Sequence, residues 1–149
     1  MLLRRDRAMI AVLIMLDVAF HAGRAGTVSA ADIAERAGLA RRGIEPLLQT
    51  LSRSALLESV RGPRGGYRLG RPRRDIKLSD IVETAISEDS GSEDGPVGEL
   101  FARVVEPAWK EFDDSLRAKL GQLSLDDLIR RAEGAGLRRP LAEPISFSI

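Results

Sequence analysis

The sequence predicts a mainly α-helical fold that carries one small β-hairpin. Apolar residues recur at steps of three or four along several segments, which is the period of a helix buried on one face. Residues 57–69 differ, because two short extended runs flank a Gly/Pro-rich turn, and this pattern is typical of a hairpin. A chain of 149 residues has room for one core and an extended element beside it, and not for two large domains.

Three helices are predicted before the hairpin. Residues 4–22 are apolar nearly all round, as expected for a helix with several packing partners. A short helix follows Ser29, which can cap its N-terminus, and ends at Gly38. A third helix has apolar residues at positions i, i+3, i+4 and i+7, namely Ile44, Leu47, Leu48 and Leu51. Its opposite face carries Arg42, Glu45, Gln49, Ser52 and Arg53. A short helix, a tight turn and a helix with a polar outer face form a helix-turn-helix, whose second helix reads the DNA major groove.

The hairpin is expected to present arginines at its tip, and these are Arg61, Arg64 and Arg68. A hairpin placed directly after a recognition helix is a wing, whose arginines can enter the minor groove. Alternatively, Arg64 and Arg68 keep an exposed hairpin edge soluble. The adjacent glycines, which allow a close approach of the backbone, favour DNA contact.

The sequence after the hairpin predicts a connector, a short helix and a loop. Residues 71–74 form a basic connector, and residues 78–86 form an amphipathic helix with Ser79 as its cap. Residues 88–98 are acidic, glycine-rich and free of apolar periodicity, which predicts a mobile loop. A hard cation could bind its carboxylates, although their spacing does not match a calcium loop and a solvated loop is the simpler interpretation. These are Glu88, Asp89, Glu93 and Asp94.

A long amphipathic helix is predicted after the loop. Its apolar stripe consists of Phe101, Val105, Ala108, Phe112, Leu116, Leu120 and Leu123. Pro107 should kink or divide it near residues 104–106. The stripe exceeds what a small domain needs to cover, so we expect pairing with a second subunit. Ser124 should cap a final helix, and the tail at 136–149 should pack over the partner or the core. Three segments result: a DNA-binding domain at 1–74, a connecting helix and loop at 75–98, and a dimerisation helix with tail at 99–149.

The charge is divided between the two halves. Residues 1–74 carry 14 arginines against six acidic residues, for a net +8, and residues 75–149 carry a net −7. This split favours a polyanionic partner for the first half. The exclusive use of arginine there suits phosphate and guanine contacts, or reflects a GC-rich genome.

Composition also argues against several classes of protein. The chain has no cysteine, which excludes disulfides and thiolate metal sites, and its one histidine, His21, leaves little for catalysis. An enzyme would need a pocket around Asp113 and Asp114 or around Asp126 and Asp127. Arg4, Arg5 and Arg7 before an apolar run imitate a secretory signal, but Asp17 interrupts the run, so a cytoplasmic protein is expected.

Several stretches resemble one known family. They are Ala19 to Gly23, Asp32 to Gly38, Ile44-Glu45 with Leu47-Leu48, Ser59 to Leu69, and Trp109 through Ser124 to Leu128. With these stretches the chain resembles the IscR/NsrR/CymR-type, or Rrf-two, family of bacterial winged helix-turn-helix transcription regulators. The resemblance implies a homodimer that binds near-palindromic promoter sites. It also implies that Arg41, Arg42 and Glu45 read bases or phosphates, and that Arg61 and Arg64 serve the minor groove.

Two departures from the family matter. Many members hold an iron-sulfur cluster through three cysteines in the segment equivalent to 88–106, and this chain has none. Gly43 and Pro46 stand where many relatives have an aromatic residue and a glutamine, so a late start of the recognition helix is expected. Cluster-free members include regulators that bind a small molecule or a partner enzyme, so the resemblance permits either, and no feature of the sequence names the ligand.

The sequence therefore predicts a homodimeric DNA-binding transcription regulator, acting as a repressor, with no catalytic residue, metal or cofactor assigned. The alternative is a winged-helix module that contacts an acidic protein. The residues expected to bind double-stranded promoter DNA are Arg41, Arg42, Glu45, Gln49, Arg53, Arg61, Arg64 and Arg68.

Overall fold

The computed structural model describes residues 5–23, 26–87 and 95–139. The helices within them are α1 (Arg5–His21), α2 (Ala30–Ala37), α3 (Arg41–Arg53), α4 (Leu78–Ser87), α5 (Glu106–Gln122) and α6 (Leu125–Gly134). Strands β1 (Leu57–Val60) and β2 (Gly66–Leu69) form the hairpin, and a 3-10 turn spans Arg73–Asp75. The mainly helical fold with one two-stranded hairpin is confirmed.

Helix α1 lies at the centre of the core. It packs against α4, α6, α2, α3 and β2, which explains why its sequence is apolar nearly all round. Its fully buried side chains include Ile14, Met15 and Val18. The same hydrophobic cluster takes in residues of α2, α3, α4 and α6, so a single core extends across residue 74. Whether functional segments divide at residues 74 and 98 stays a prediction.

The ends of α2 agree with the capping pattern. The hydroxyl of Ser29 accepts a hydrogen bond from the amide of Asp32, and Gly38 adopts the left-handed conformation with φ +67°. The amide of Leu39 then donates to the carbonyl of Ala34 at 2.9 Å, which closes the turn. Only three residues, 38–40, therefore separate α2 from α3.

The start of α4 differs from the prediction. The helix begins at Leu78, and the carboxylate of Asp80, not the hydroxyl of Ser79, accepts a hydrogen bond from the amide of Lys77 at 3.1 Å. The prediction that Ser79 caps this helix is therefore wrong. Aspartate has the stronger acceptor and also favours the positive end of the helix dipole.

The long C-terminal helix is divided where Pro107 predicts. Residues Phe101–Val105 form a π-helical segment, in which the amide of Glu106 reaches the carbonyl of Phe101, and regular α5 starts at Glu106. Proline has no amide to continue the α-helical pattern, so the chain widens by one residue before it. Ser124 caps α6 in a capping box with Asp127, as expected.

Two predicted segments fall largely outside the described residues. The carboxylates proposed for a cation in the 88–98 loop, and the tail from Pro140 onward, both lie there. None of the described helices is both long and apolar enough to cross a membrane.

Candidate nucleic-acid interface

The outer face of α3 is polar and exposed because its inner face holds the core. Ile44, Leu47, Leu48 and Leu51 are at most 3% exposed, as their spacing predicts. The predicted reading residues of this helix are all exposed, and these are Arg41, Arg42, Glu45, Gln49 and Arg53. The helix thus presents a surface of arginine and hydrogen-bonding side chains over a rigid apolar base. That is the arrangement a recognition helix needs for base edges and phosphates.

The helix begins earlier than its sequence suggests. The expected late start was wrong: α3 starts at Arg41, with Ala40 as its N-cap, and Pro46 lies inside the helix. Proline lacks the amide that would bond to the carbonyl of Arg42, four residues earlier, so that carbonyl loses its helical donor. Burial of the apolar face on the core outweighs this loss. The carbonyl of Pro46 in turn accepts a hydrogen bond from the hydroxyl of Thr50 at 2.9 Å.

Gly43 leaves a gap in the exposed face of α3. A Cβ atom added there would meet no atom of the described residues within 4 Å apart from its own helix turn, so packing against them does not require glycine at this position. Glycine in a helix also lowers its stability relative to alanine. Without a Cβ atom, the helix backbone is more accessible at this position than elsewhere on the exposed face.

Arg41 and Glu45 pair with each other on this face. The Arg41 Nε lies 3.0 Å from a carboxylate oxygen of Glu45, and both side chains are about half exposed or more. An exposed pair at i and i+4 contributes only about 0.3–0.5 kcal/mol to stability. The pair holds the Arg41 guanidinium in one direction, yet it is weak enough for a stronger acceptor, such as a phosphate, to replace the Glu45 carboxylate.

The wing is anchored at its base to the end of α3. Ala55 turns the chain with φ +62°, and the amide of Gly70 donates to the carbonyl of Leu56 at 3.0 Å. A Cβ atom at Gly70 would lie 2.1 Å from the carbonyl oxygen of Ala55, so only glycine permits this approach. The hairpin therefore leaves α3 in a fixed direction.

The segment just before α2, Thr27 and Val28, fixes the middle and tip of the wing. Val28 and Tyr67 exchange two backbone hydrogen bonds of 2.9 and 2.8 Å, which adds a bridge beside β2. The hydroxyl of Thr27 donates to the carbonyl of Arg64 at 2.7 Å. This tether was missed at the sequence level, since one threonine before a helix cap gives no signal of contact with residues 37 positions away.

The tip arginines are exposed on this fixed backbone. Arg61 and Arg64 have no hydrogen-bond or ion-pair partner for their side chains among residues 5–23, 26–87 and 95–139. Their guanidinium groups therefore remain available to an external anion. A tethered tip holds them in place with little loss of backbone entropy on binding.

Arg68 does not lie at the tip, contrary to the prediction. It sits within β2 directly opposite Glu58 of β1, and its Nε and Nη2 lie 3.0 and 3.1 Å from the two carboxylate oxygens. This hydrogen-bonded pairing lowers the pKa of Glu58 and raises that of Arg68. The turn consists of residues 61–65, so Arg68 is the third residue of β2 and lies away from the tip. Its charge is partly neutralised within the wing.

One of the carboxylate pairs considered for an enzyme, Asp126 and Asp127, has structural partners. Asp126 is held by Arg73 and Arg130, at 2.7 and 2.6 Å. Asp127 accepts a hydrogen bond from the backbone amide of Ser124, which lowers its pKa and keeps it ionised. Among the described residues, no group of three or more histidine, cysteine, aspartate or glutamate side chains is placed to hold a metal ion.

The C-terminal helices leave an apolar surface open. No residue of α5 is buried within the described chain. Its aromatic pair, Trp109 and Phe112, is 45% and 51% exposed, with ring centroids 5.9 Å apart. Val104, in the π-helical segment, is 60% exposed and continues this surface. Exposed apolar area of this kind marks an interaction surface.

Comparison with known proteins supports the nucleic-acid interpretation. Residues 5–131 match the model of the Rrf2 family, described as "Iron-dependent Transcriptional regulator". The HTH-type transcriptional regulator IscR of Xenorhabdus nematophila is 34% identical over 129 residues, covering 83% of this chain and 76% of that protein.

Solved structures show the same fold. The structure of IscR from T. potens superposes with a TM-score of 0.71 at 32% identity, covering 91% of each chain. CymR (YrzC), the global cysteine regulator of B. subtilis, has a TM-score of 0.69 at 27% identity, covering 88% of this chain and 98% of its own. The similarity therefore includes the winged helix and extends into the C-terminal helices.

Proposed function

Because the chain belongs to the Rrf2 family of winged-helix transcriptional regulators, we propose that it is a homodimeric repressor that binds specific promoter sequences in the cytoplasm. The observation that carries this proposal is the combination of a rigid helix with a polar outer face and a tethered wing with free arginines. Eight residues were predicted to contact DNA, and all eight are exposed. A winged helix needs these side chains on its surface to reach bases and phosphates.

The two parts of the interface have different roles in this proposal. Arg42 and Gln49 on α3 approach base edges in the major groove, where arginine suits guanine and glutamine suits adenine. Arg41 exchanges Glu45 for a phosphate, which frees the Glu45 carboxylate to accept a hydrogen bond from cytosine. The gap at Gly43 lets the helix backbone lie close to the duplex.

The wing supplies the sequence-tolerant part of the binding. Arg61 and Arg64 enter the adjacent minor groove, where negative potential is strongest when the groove is narrow. Arg53 and Arg68 lie farther from the tip and add to the positive field along the backbone. Arg68 contributes less, because Glu58 already satisfies it.

Dimerisation supplies the second half-site. The exposed surface of Val104, Trp109 and Phe112 pairs with its copy, which would bury apolar area that the core leaves open. Two recognition helices related by a two-fold axis read an inverted repeat, with half-sites about one helical turn or more apart. A dimer seated on a promoter blocks the access of RNA polymerase, which is the basis for assigning repression.

The family description mentions iron dependence, but this chain cannot hold an iron-sulfur cluster through thiolate ligands. The whole sequence contains no cysteine, and the described residues offer no group of metal-binding side chains. Clusters of the common types need thiolate ligands. We therefore assign the regulation of this chain to a signal other than a cysteine-bound iron-sulfur cluster.

Selection from a pool of random duplex oligonucleotides tests the proposal. The purified chain should enrich an inverted repeat, and Arg42→Ala should reduce the enrichment of its conserved bases. Absence of any enriched sequence, together with a stoichiometric complex with one acidic protein, would instead establish the protein-interaction module.

A further inference from the structure

A large cleft lies on the side of the molecule where α1 ends, β2 ends and α6 begins. Its volume is about 940 Å³, which is within the range of small-molecule sites. Apolar residues line part of it, among them Val18, Ala22 and Leu69. Six arginines also line this cleft, and they are Arg68, Arg71, Arg73, Arg74, Arg130 and Arg139. We refer to it as the arginine cleft.

One carboxylate organises part of this charge. Asp126 is the only acidic residue among the described residues that line the cleft, and its side chain is 15% exposed. It bonds Arg73 through one oxygen at 2.7 Å and Arg130 through the other at 2.6 Å. A guanidinium has five N–H donors, so both arginines keep donors to spare. The carboxylate therefore fixes two cations and leaves the cleft strongly positive.

Other donors in the cleft lack acceptors. Arg71 and Arg74 have no hydrogen-bond or ion-pair partner for their side chains in the described part of the chain. Arg139 donates through Nη2 to the carbonyl of Ala19 at 3.3 Å, but its buried Nε has no acceptor among the described residues. A buried donor without a partner lowers stability, and such a group often marks a missing ligand.

We propose that the arginine cleft binds a small molecule that combines one or more anionic groups, carboxylate or phosphate, with an apolar part. The unpartnered guanidiniums recognise the anion, and the apolar lining takes the rest of the ligand. Arginine is suited to both anions because its planar fork makes two parallel hydrogen bonds to either.

The DNA backbone is a less suitable occupant of the same arginines. Phosphates of a duplex are met by side chains that project from a surface, and an apolar lining adds nothing to such a contact. The cleft lies toward the end of β2 that is remote from the wing tip, where Arg68 and Leu69 line it.

The position of the cleft links an occupant to the wing. Arg68 and Leu69 belong to β2 and line the cleft, so a bound molecule contacts the strand that carries the wing. Ligand binding itself does not depend on the proposed function, whereas any effect of the ligand on DNA affinity does. The test is therefore a direct measurement of ligand binding.

Isothermal titration of the full chain with 1-naphthyl phosphate and 1-naphthoate provides the test, with inorganic phosphate and 1-naphthol as comparison compounds. We expect one site per chain, with at least one of the two aromatic anions binding at least about tenfold more tightly than either comparison compound. The stronger of the two identifies phosphate or carboxylate as the natural group. The double variant Arg71→Gln/Arg74→Gln should weaken binding at least about tenfold, because it removes the two unpartnered guanidiniums.

A matched control removes the same charge elsewhere. Arg131→Gln/Lys119→Gln changes two exposed cations outside the cleft and should leave the affinity unchanged. Three results would overturn the proposal: no binding of either aromatic anion, equally tight binding of inorganic phosphate, or equal weakening by the control. If the probes fail to bind while Arg71→Gln/Arg74→Gln weakens binding to duplex DNA, these arginines serve the DNA backbone instead.

Discussion

Removing both arginines from the wing tip should change the salt dependence of DNA binding by a calculable amount. Arg61 and Arg64 are exposed and lack side-chain partners in the described chain, so each can displace counterions from DNA. Each such contact contributes about 0.9 to the slope of log K against log salt. A dimer has two wings, so Arg61→Gln/Arg64→Gln should make the slope shallower by about 3.6. At about 0.1 M salt, the affinity should fall by about 3.6 orders of magnitude.

Fluorescence anisotropy of a labelled operator duplex, recorded from about 0.05 to 0.3 M salt, measures this slope. Arg131→Gln/Lys119→Gln is the control for net charge and should leave the slope close to that of the wild type. A change of about 1.8 would indicate that one wing, not two, contacts each site. An unchanged slope, or the same change in the control, would refute the assignment of the wing to DNA.

Three further outcomes are expected. Gly66→Ala should lower the free energy of unfolding by about 1–3 kcal/mol in urea titrations, because a Cβ atom there would lie 2.6 Å from a backbone carbonyl oxygen. Gly43→Ala, with open space around it, should raise the free energy of unfolding by about 0.5–1 kcal/mol. A Gly66→Ala variant more stable than Gly43→Ala would contradict the packing. Phe112→Ser should weaken the dimer at least about a hundredfold in sedimentation equilibrium, because it removes about 1.5–3 kcal/mol of apolar burial from each copy. Leu39→Ser, which changes an exposed leucine in the turn before α3, should leave the dimer unchanged. Burial lowers the pKa of His21 below 6.5, so the unfolded chain binds the proton more readily and stability is lost as the pH falls below about 6.5. His21→Gln should reduce this loss of stability at low pH. Identical pH profiles of stability for the variant and the wild type would show that the histidine is not responsible.

The elements that could be predicted from sequence are those governed by local periodicity and capping. The spacing of Ile44, Leu47 and Leu51 determines which face of α3 is buried, and burial on one face is a property of the helix period alone. Pro107 locates the division of the long helix because the missing amide acts within one turn. Ser29 and Ser124 mark helix starts for the same local reason.

The remaining features depend on register and on contacts between distant segments. The position of Arg68 opposite Glu58 follows from how many residues the turn uses, and composition does not specify that number. Pro46 inside α3 reflects burial of the apolar face outweighing one lost hydrogen bond, a balance that local preference misjudges. The tether from Thr27 to the wing tip requires the folded structure, because no pattern connects the two segments.

The ratio of affinities for a selected operator and for a scrambled duplex of equal length and composition measures whether α3 reads base sequence. At physiological salt we expect this ratio to be at least about a thousand for the wild type. Arg42→Ala should reduce that ratio while its affinity for the scrambled duplex changes much less, because base contacts carry specificity and phosphate contacts do not. A ratio near one for the wild type would contradict sequence-specific recognition by α3.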